Sequence, residues 1–530
     1  MKVVTVDEMR AIEQASVRLG VPLDRLQQNA AKAVAEEIER RFGEVEGPLL
    51  FLIGPGNNGR DALIAADLLR QKGRPVRAYL APKVGSEDVL KRLKEGGARI
   101  HGYSSTGDLE VLRQWIRDAV VVVDGLLGIG IRGTVREPMA GIIKVAAEET
   151  KLRQVPVVAV DLPSGIDADT GQIAGCALPA SYTVSLGCVK AGLLQFPAAD
   201  YVGHLVPVGI GLPPESYATV RTELLDAEVA AGLVPHRPLN AHKGTFGRVL
   251  VVGGSRNFVG APYLAAAAAA RAGCGLVTLA VPEWQRGILA TLLPEATYLP
   301  LLDSDEVVAA EADAQAVSEL LPDCTALAVG PGLGQGPGQL RLVMGVLEAA
   351  RPLEGIGVVV DADGLNALAD VAASSAVGEL PWWERIGPGH VLTPHPGEMS
   401  RLMRVPIAEV NQDRWGIASR AAALWRQVVV LKGAFTVVAE PEGSRWISPF
   451  AMPALASAGT GDVLTGMIAG LMAQGASSVG AACSGVFLHA AAASEVLECQ
   501  GTDRLLAGDL LPAIPVAIAG LPPSRSGHRP

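Results

Sequence analysis

Short apolar runs alternate with longer amphipathic stretches along the 530 residues of this chain. The runs are rich in β-branched residues, as buried parallel strands are, and the Ala/Leu-rich stretches between them are typical of helices. The predicted strands are residues 49–53, 76–80, 120–123, 157–160 and 182–186, followed by 249–252, 276–281, 327–329, 358–360, 391–393 and 428–431. The pattern therefore predicts an α/β architecture in which helices cover both faces of parallel sheets, giving three layers.

A stretch punctuated by prolines and without strong periodicity, residues 211–238, divides the chain into two halves. The halves do not repeat each other's motifs, and 530 residues are too many for one ordinary core. We therefore predict two different α/β domains, at residues 1–215 and 225–522. The end of the chain, from Pro522 to Gly527, is predicted to be a frayed tail.

The composition of the chain argues against several classes of binding partner. The net charge of −10 argues against a nucleic-acid-binding surface, and the 4% aromatic content argues against stacking platforms for single strands. The six cysteines are widely spaced, unlike a zinc site or a disulfide framework. No signal-peptide core stands at the start, and the alanine-rich stretch 264–270 is too short to span a membrane. We expect a cytoplasmic homo-oligomer that acts on small molecules and binds neither nucleic acid nor membrane.

The segment Ala458-Gly459-Thr460-Gly461-Asp462 opens a long apolar run. Glycines and a threonine at a helix start leave backbone N–H groups free to bind an anion. The carboxylate that follows is placed to take a proton from an attacking hydroxyl, as in phosphoryl transfer. The same residues also fit a simple capped helix start, so the segment alone leaves both interpretations open.

Three loops of the first half carry polar residues directly after predicted strands. They are Gly-Pro-Gly-Asn-Asn-Gly-Arg-Asp at 54–61, a glycine-spaced loop after Asp124, and a loop containing Asp161 and Ser164. Such loops meet at the carboxyl edge of a parallel sheet, where ligands bind. Asn57 and Asn58 suit a hydroxylated ligand or a hard cation, although they also fit a turn held by side-chain hydrogen bonds.

Together with Ser-Leu-Gly-Cys-Val-Lys-Ala-Gly-Leu at 185–193, these motifs resemble the YjeF N-terminal domain, the NAD(P)H-hydrate epimerase, over about residues 1–212. The resemblance implies a Rossmann-like fold and a potassium ion held by Asn58, Asp124 and Ser164. It implies that the hydrated nicotinamide nucleotide is bound by Asn57, Asn58, Gly59, Arg60, Asp61, Gly128, Ile129, Gly130, Ile131, Arg132, Gly133, Thr134 and Asp161.

C6 of the hydrate carries a hydroxyl beside the ring nitrogen, so it can invert through an iminium or a ring-opened species. We assign Asp161 as the acid/base group or as the group that stabilises the developing positive charge. Arg60 and Ala62 stand where the family usually has glycines. Arg60 would either clash with the ligand or reach one of its phosphates.

Six motifs of the second half, taken in order, resemble the ribokinase-like NAD(P)H-hydrate dehydratase domain over about residues 225–520. They are His-Lys-Gly-x-Phe-Gly at 242–247, Gly-Pro-Gly-Leu-Gly at 330–334, Asp-Ala-Asp-Gly-Leu-Asn at 361–366, Thr-Pro-His-x-Gly-Glu at 393–398, Leu-Lys-Gly at 431–433 and Ala-Gly-Thr-Gly-Asp-Val-Leu at 458–464. The resemblance implies that the hydrate contacts Ala261, Gly334, His395 and Asp462. It places the adenine nucleotide on Lys432, Gly433, Ala434, Phe435, Thr436 and Gly461.

The resemblance also implies that ADP is converted to AMP and phosphate, whereas the bare residues do not distinguish ADP from ATP. Mg²⁺ is expected on the diphosphate, with no protein ligand assigned. The combined expectation is a repair enzyme that epimerises the R and S forms of NADHX and NADPHX and dehydrates the S form, with Asp462 as the base. The alternatives are a ribokinase-like small-molecule kinase and a first domain that is only a non-catalytic binding module.

Overall fold

A computed structural model describes residues 1–302, 306–374 and 380–523 of the chain. The chain forms two compact units, one from Met1 to Thr222 and one from Glu223 onward. Beyond Pro523, the tail that was expected to fray lies outside the described residues.

The first unit contains one large sheet with helices on both faces. Its strands are β1 (Val3–Val4), β2 (Leu49–Ile53), β3 (Val76–Leu80), β4 (Arg99–Gly102), β5 (Val121–Gly125), β6 (Val157–Val160), β7 (Tyr182–Leu186), β8 (Val189–Lys190) and β9 (His204–Val208). Its helices are α1 (Val6–Arg18), α2 (Leu23–Phe42), α3 (Asn57–Gln71), α4 (Glu87–Glu95), α5 (Asp108–Asp118), α6 (Met139–Arg153) and α7 (Ala199–Val202).

Seven of these strands form a parallel sheet in the order β4-β3-β2-β5-β6-β7-β9, while β1 pairs with β8. Helices α2 and α3 pack on one face, and α5 and α6 pack on the other. The chain leaves β2 toward β3 and β4 and then returns to the other side of β2 as β5. Because the strand order reverses there, the crevice between the ends of β2 and β5 is where such folds bind ligands.

The strand predicted at 120–123 begins one residue later and ends two residues later than expected, as β5. Asp124 pairs in register with Leu52 on one side and Ala159 on the other, so the ladder continues through it. Asp124 is therefore fully buried within β5 rather than in the loop that follows.

The second sheet has ten strands in the order β10-β19-β18-β17-β16-β15-β14-β11-β12-β13. These are β10 (Thr222–Leu224), β11 (Arg248–Val252), β12 (Leu276–Pro282), β13 (Thr297–Leu301), β14 (Ala326–Val329), β15 (Gly357–Val360), β16 (Val391–Leu392), β17 (Val428–Leu431), β18 (Val437–Ala439) and β19 (Arg445–Ile447). The helices are α8 (Ala227–Leu233), α9 (Gly260–Arg271), α10 (Glu283–Leu292), α11 (Val307–Leu320), α12 (Pro337–Ala350), α13 (Asp363–Ser374), α14 (Trp382–Ile386), α15 (Pro396–Met403), α16 (Ile407–Gln412), α17 (Arg414–Trp425), α18 (Thr460–Ala473), α19 (Ser478–Gln500) and α20 (Ala507–Ala519).

The strands β11 to β17 are parallel to their neighbours within that group, whereas β18 runs antiparallel to both β17 and β19. The sequence pattern predicted only parallel strands and did not include this antiparallel edge. The physical reason is the connection after β17, since residues 432–436 are too few for the crossover that a parallel pair requires.

Two helices of this unit pack unusually closely along small residues. A Cβ atom added to Gly466 of α18 would lie 1.9 Å from the carbonyl oxygen of Ala265 in α9. One added to Gly470 would lie 2.7 Å from the carbonyl oxygen of Ala269. The two helix backbones are therefore in direct contact, which fixes the helix that begins at Thr460 against the core.

Among the described residues, one helix is long and apolar enough to cross a membrane. It is α19, and 78% of its most apolar window is buried inside the protein. This burial is what a core helix shows.

Candidate active sites

A cavity of about 660 Å³ lies at the carboxyl edge of the first sheet, where the strand order reverses between β2 and β5. Its wall is formed by the loops after β2, β5 and β6 together with α1 and α2. Nine of the residues predicted to bind the hydrated nucleotide line it: Asn57, Asn58, Arg60, Asp61, Gly128, Ile129, Gly130, Ile131 and Asp161.

The other four residues predicted to bind the hydrated nucleotide do not line the cavity. Gly59 is buried against the turn before α3, where an added Cβ would lie 2.0 Å from the carbonyl oxygen of Gly54. Arg132, Gly133 and Thr134 lie in an exposed part of the loop that precedes α6. Arg60 itself points toward Asp24, with 4.0 Å between the guanidinium and the carboxylate, and both side chains are well exposed.

The three residues assigned to potassium lie together beside this cavity. Asp124 accepts hydrogen bonds from the backbone N–H of Ser164 at 2.8 Å and from its hydroxyl at 2.6 Å. Asn58 donates to the carbonyl of Leu127 at 2.8 Å, and the Leu127 N–H donates to the Ser164 hydroxyl at 2.9 Å. Burial raises the pKa of Asp124 to about 6, against the hydrogen bonds from Ser164. A buried acid surrounded by neutral oxygen atoms fits a monovalent hard cation.

Asp161 forms a buried ion pair with Lys190, a residue to which the sequence analysis gave no role. Lys190 is 1% exposed, and its ammonium donates both to the Asp161 carboxylate and to the carbonyl of Leu186, the latter at 2.8 Å. The backbone N–H of Leu186 donates to the same carboxylate oxygen at 2.9 Å. Asp161 has a positive φ of 67°, which is uncommon for a residue with a side chain. The signal for Lys190 was present, because a lysine among apolar residues near a strand needs a buried partner.

Two further acids face the same cavity. Burial raises the pKa of Asp61 to about 8, and the nearby charges of Asp161 and Glu13 act in the same direction. Burial also raises the pKa of Glu13, which lies on α1. The cavity therefore holds two different carboxyl groups. Asp161 is paired with Lys190, whereas Asp61 is protonated at neutral pH.

The second site is built around the start of α18. Gly459 precedes the helix with a φ of 87°, and no side chain caps it. The Thr460 hydroxyl instead donates to the carbonyls of Leu455 at 2.8 Å and Ser457 at 2.9 Å. The N–H groups of Gly461 and Asp462 lie in the first turn, which has no intrahelical acceptors. This geometry differs from a side-chain-capped helix start and suits an anion.

Asp361, which follows β15, joins three elements at this point. Its carboxylate accepts from the Lys432 ammonium at 2.6 Å and from the Thr465 hydroxyl at 2.7 Å. A Cβ added to Gly461 would lie 3.4 Å from the Lys432 nitrogen, so the ion pair lies directly against the first turn of α18. Burial raises the pKa of Asp462 to about 7, Asp361 raises it further and Lys432 opposes both. An acid with that pKa is well matched to a general base at neutral pH.

His395 begins α15 as its capping residue. Its Nδ1 accepts from the N–H of Gly397 at 2.9 Å, while Glu398 accepts from the His395 N–H at 2.8 Å. The imidazole is half exposed, and its Nε2 lies 3.4 Å from Glu398. Burial raises the pKa of Glu398 to about 7. The histidine thus has a structural role and still presents one edge at the site.

The remaining predicted residues lie in loops and at one helix start at the same edge of the second sheet. Gly334 donates from its N–H to Asp363 at 2.8 Å, and Ala261 lies in the first turn of α9. Gly433, Ala434, Phe435 and Thr436 form the turn between β17 and β18, closed by the Thr436 hydroxyl donating to the carbonyl of Gly433 at 2.8 Å. Arg414, which the sequence analysis did not single out, supports this turn through the carbonyls of Leu431 and Lys432, each at 3.1 Å.

Fold and geometry define a class: a Rossmann-like unit with a ligand cavity at its switch point, and a ribokinase-like unit with an acid at an anion-binding helix start. The NAD(P)H-hydrate dehydratase family matches residues 249–516, and the family described as YjeF-related protein N-terminus matches residues 23–192. The chain belongs to the bifunctional NAD(P)H-hydrate repair enzymes. The predicted fold class, family and repair function, with an epimerase and a dehydratase domain, are confirmed.

The similarity to relatives extends over the whole chain. The chain is 37% identical to the bifunctional NAD(P)H-hydrate repair enzyme of Moorella thermoacetica, over 98% of this chain and 97% of that protein. It is 34% identical to the enzyme of the same name from Coxiella burnetii, over 96% of this chain and 98% of that protein. A solved structure of the ADP/ATP-dependent NAD(P)H-hydrate dehydratase from Bacillus subtilis, co-crystallised with ATP and Mg²⁺, is 32% identical with a TM-score of 0.47. It covers 57% of this chain and 99% of that one.

Proposed function

We propose that the first unit interconverts the R and S hydrates of NADH and NADPH, and that the second dehydrates the S hydrate with conversion of ADP to AMP and phosphate. The observation that carries the second assignment is Asp462, a partly buried acid with a pKa of about 7 at an uncapped helix start. The domain ranges 1–215 and 225–522 remain our proposal for the parts that carry each activity. The expectations of a cytoplasmic homo-oligomer without nucleic-acid or membrane contacts stay predictions.

In the proposed dehydration, the Asp462 carboxylate takes the proton of the C6 hydroxyl as that oxygen attacks the β-phosphoryl group of ADP, which releases AMP. The free N–H groups at the start of α18 stabilise the charge on the transferring phosphoryl. The C6–O bond then breaks with loss of phosphate, driven by the lone pair of the ring nitrogen. Loss of a proton from C5 completes the formation of NAD(P)H.

Metal ions would assist both sites in different ways. Asn58, Asp124 and Ser164 offer oxygen atoms that suit a potassium ion, and the ion would connect the start of α3, the end of β5 and the loop after β6. In the described parts of the chain, no cluster of three or more acidic, histidine or cysteine side chains is suited to a metal. Mg²⁺ at the second site would therefore be held mainly by the diphosphate, whose charge it neutralises.

In the proposed epimerisation, the Asp161 carboxylate, fixed by Lys190, stabilises positive charge that develops on the nicotinamide ring. The nucleotide would occupy the cavity along the loops at 57–61 and 128–131, with Arg60 available to one of its phosphates.

Replacing Asp462 with Asn tests the base assignment. We expect ADP-dependent dehydration of the S hydrate to fall by about a hundredfold or more, while epimerisation is unchanged. Recovery of the absorbance of reduced nicotinamide reports dehydration, and chromatographic separation of the R and S hydrates reports epimerisation. Asp509→Asn is a matched control, because Asp509 is also the third residue of its helix but caps the N–H of Leu506 at 2.8 Å.

Retained dehydration in the Asp462 variant would contradict the base assignment. The alternative small-molecule kinase gives a different product, because a kinase accumulates a phosphorylated compound whereas the proposed dehydratase releases phosphate.

A further inference from the structure

We propose that Asp61, rather than Asp161, is the proton donor of the first site. This inference rests on the proposed epimerase function and assigns the proton-transfer step within it. Asp61 lies in the first turns of α3 and lines the cavity at the carboxyl edge of the sheet. A residue in that position can reach a ligand that enters the crevice between β2 and β5.

Asp61 and Asp161 differ in their hydrogen bonding, and this difference favours Asp61 as the proton donor. Asp161 is held on one oxygen by both the Lys190 ammonium and the Leu186 N–H. Asp61 is 9% exposed, and its Oδ1 has no hydrogen-bond partner among the described residues. A buried polar atom without a partner is costly, so the unpaired oxygen of a side chain that lines a cavity points to a ligand group that completes it.

The charges around Asp61 keep it in the protonated form that a donor needs. The groups that act on it are Asp161 after β6, Glu13 on α1, Lys190 on β8 and the neutral Gln27 on α2. Burial and the two acids outweigh Lys190 and the hydrogen bond from Gln27, which is why the pKa of Asp61 reaches about 8. Charged Arg10, Asp24 and Arg60 complete the cavity wall.

The proposed step is balanced. The Asp61 carboxyl gives its proton to the C6 hydroxyl, the C6–O bond breaks, and the bonding pair leaves with the oxygen as water. The ring-nitrogen lone pair forms the C6=N bond, and the Asp161 carboxylate stabilises the resulting cation. Water adds to the opposite face of the planar carbon and loses a proton to the solvent, and Asp61 takes up a proton from the solvent. The enzyme and the composition of the hydrate are thereby restored.

The test measures interconversion of the pure R hydrate into the S hydrate by the full chain without ADP. Asp61→Asn is expected to lower kcat by about a hundredfold or more with little change in KM. In the wild type, kcat should fall as pH rises through about 8, because the donor is lost, and this limb should be absent in Asp61→Asn. Asp61→Glu keeps a carboxyl group and is expected to restore part of the rate.

Asp67→Asn is the matched control on the same helix. Asp67 is also buried, but its carboxylate accepts from Arg70 at 2.8 Å and from Arg92 at 3.3 Å and is absent from the cavity wall. That variant should keep the alkaline limb. Wild-type kcat in Asp61→Asn, or a loss confined to KM, would overturn the inference. A wild-type chain that does not accelerate interconversion would instead contradict the proposed epimerase function itself.

Discussion

Asp361 shows how one residue can set the chemistry of another at the second site. It holds Lys432 and Thr465 and faces the first turn of α18, which carries the proposed base. Its negative charge raises the pKa of Asp462, after the larger effect of burial, and the Lys432 charge lowers it. The proton affinity of the base is therefore a balance between burial and two charges that belong to one ion pair.

Asp361→Asn should lower the proton affinity of Asp462. With one negative charge removed and Lys432 still present, the pKa of Asp462 falls, so the base remains ionised at lower pH. The acid limb of kcat for dehydration, expected near pH 7 in the wild type, should move down by roughly one pH unit. The maximal rate should fall as well, because a base of lower pKa is weaker.

The measurement is the pH dependence of ADP-dependent dehydration of the S hydrate. Asp323→Asn is a suitable control, because Asp323 is exposed and lies before β14, at the end of the strand away from the site. An unmoved acid limb in Asp361→Asn would show that this residue does not set the proton affinity of the base.

Sequence motifs predicted which residues lie together at each candidate site better than they predicted the partners of individual side chains. Asp462 and Asp161 stand at strand or helix ends, where position alone marks a candidate. The partners that define them, Lys432 with Asp361 and Lys190 with Asp161, are separated by 71 and 29 positions. Such pairing depends on tertiary structure, and no local pattern contains it.

At the scale of elements, the contact between α18 and α9 positions the dehydratase site. The first turn of α18 carries Asp462 and that of α9 carries Ala261, so the spacing of these helices sets the spacing of the two site residues. Hydrophobic periodicity predicted strands such as β2, β3 and β17 at their observed bounds, because buried parallel strands have a strong local pattern. The short strands β18 and β19, which lie between β17 and the edge strand β10, were missed, because three residues carry too little periodicity.

Gly466→Ala should separate these two helices. The new methyl group would meet the Ala265 carbonyl, and neither backbone can move without disturbing the core, so we expect a loss of about 1–3 kcal/mol in the stability of the second unit. Dehydratase kcat should fall as Asp462 shifts, while epimerisation is retained. Thermal unfolding and the two activity assays check this expectation.

Gly508→Ala is the control, because Gly508 lies on the exposed side of α20 with no atom within 4 Å of an added Cβ. It should leave stability unchanged or slightly increased. Equal behaviour of the two variants would mean that the α18–α9 contact is looser than the structure shows.

At the scale of the whole molecule, each unit supplies its own site. The cavity of the first unit is lined by residues between Met9 and Ile210, and the second site is built from residues between Ala261 and Thr465. The described residues named at each site belong to one unit, so we expect the S hydrate made by one chain to be usable by another.

A mixture of two inactivated chains tests this independence. Asp462→Asn epimerises but does not dehydrate, and Asp61→Asn dehydrates only the S form. Neither variant alone should convert pure R hydrate to NAD(P)H in the presence of ADP beyond the spontaneous background. We expect the mixture to restore most of the wild-type rate of recovery, followed by the absorbance of reduced nicotinamide. If the mixture stays inactive, the hydrate must pass between sites of the same chain.

Because each site is built from one unit, the fusion of the two units has a consequence for the amounts of the two enzymes in the cell. Two genes could encode these units with all of the named residues of each site on one gene product. One reading frame instead guarantees one epimerase for every dehydratase, whatever the level of expression. The covalent link therefore keeps the two domains in a ratio of one to one. The R hydrate, which the dehydratase site does not use, is then not left to accumulate for want of epimerase.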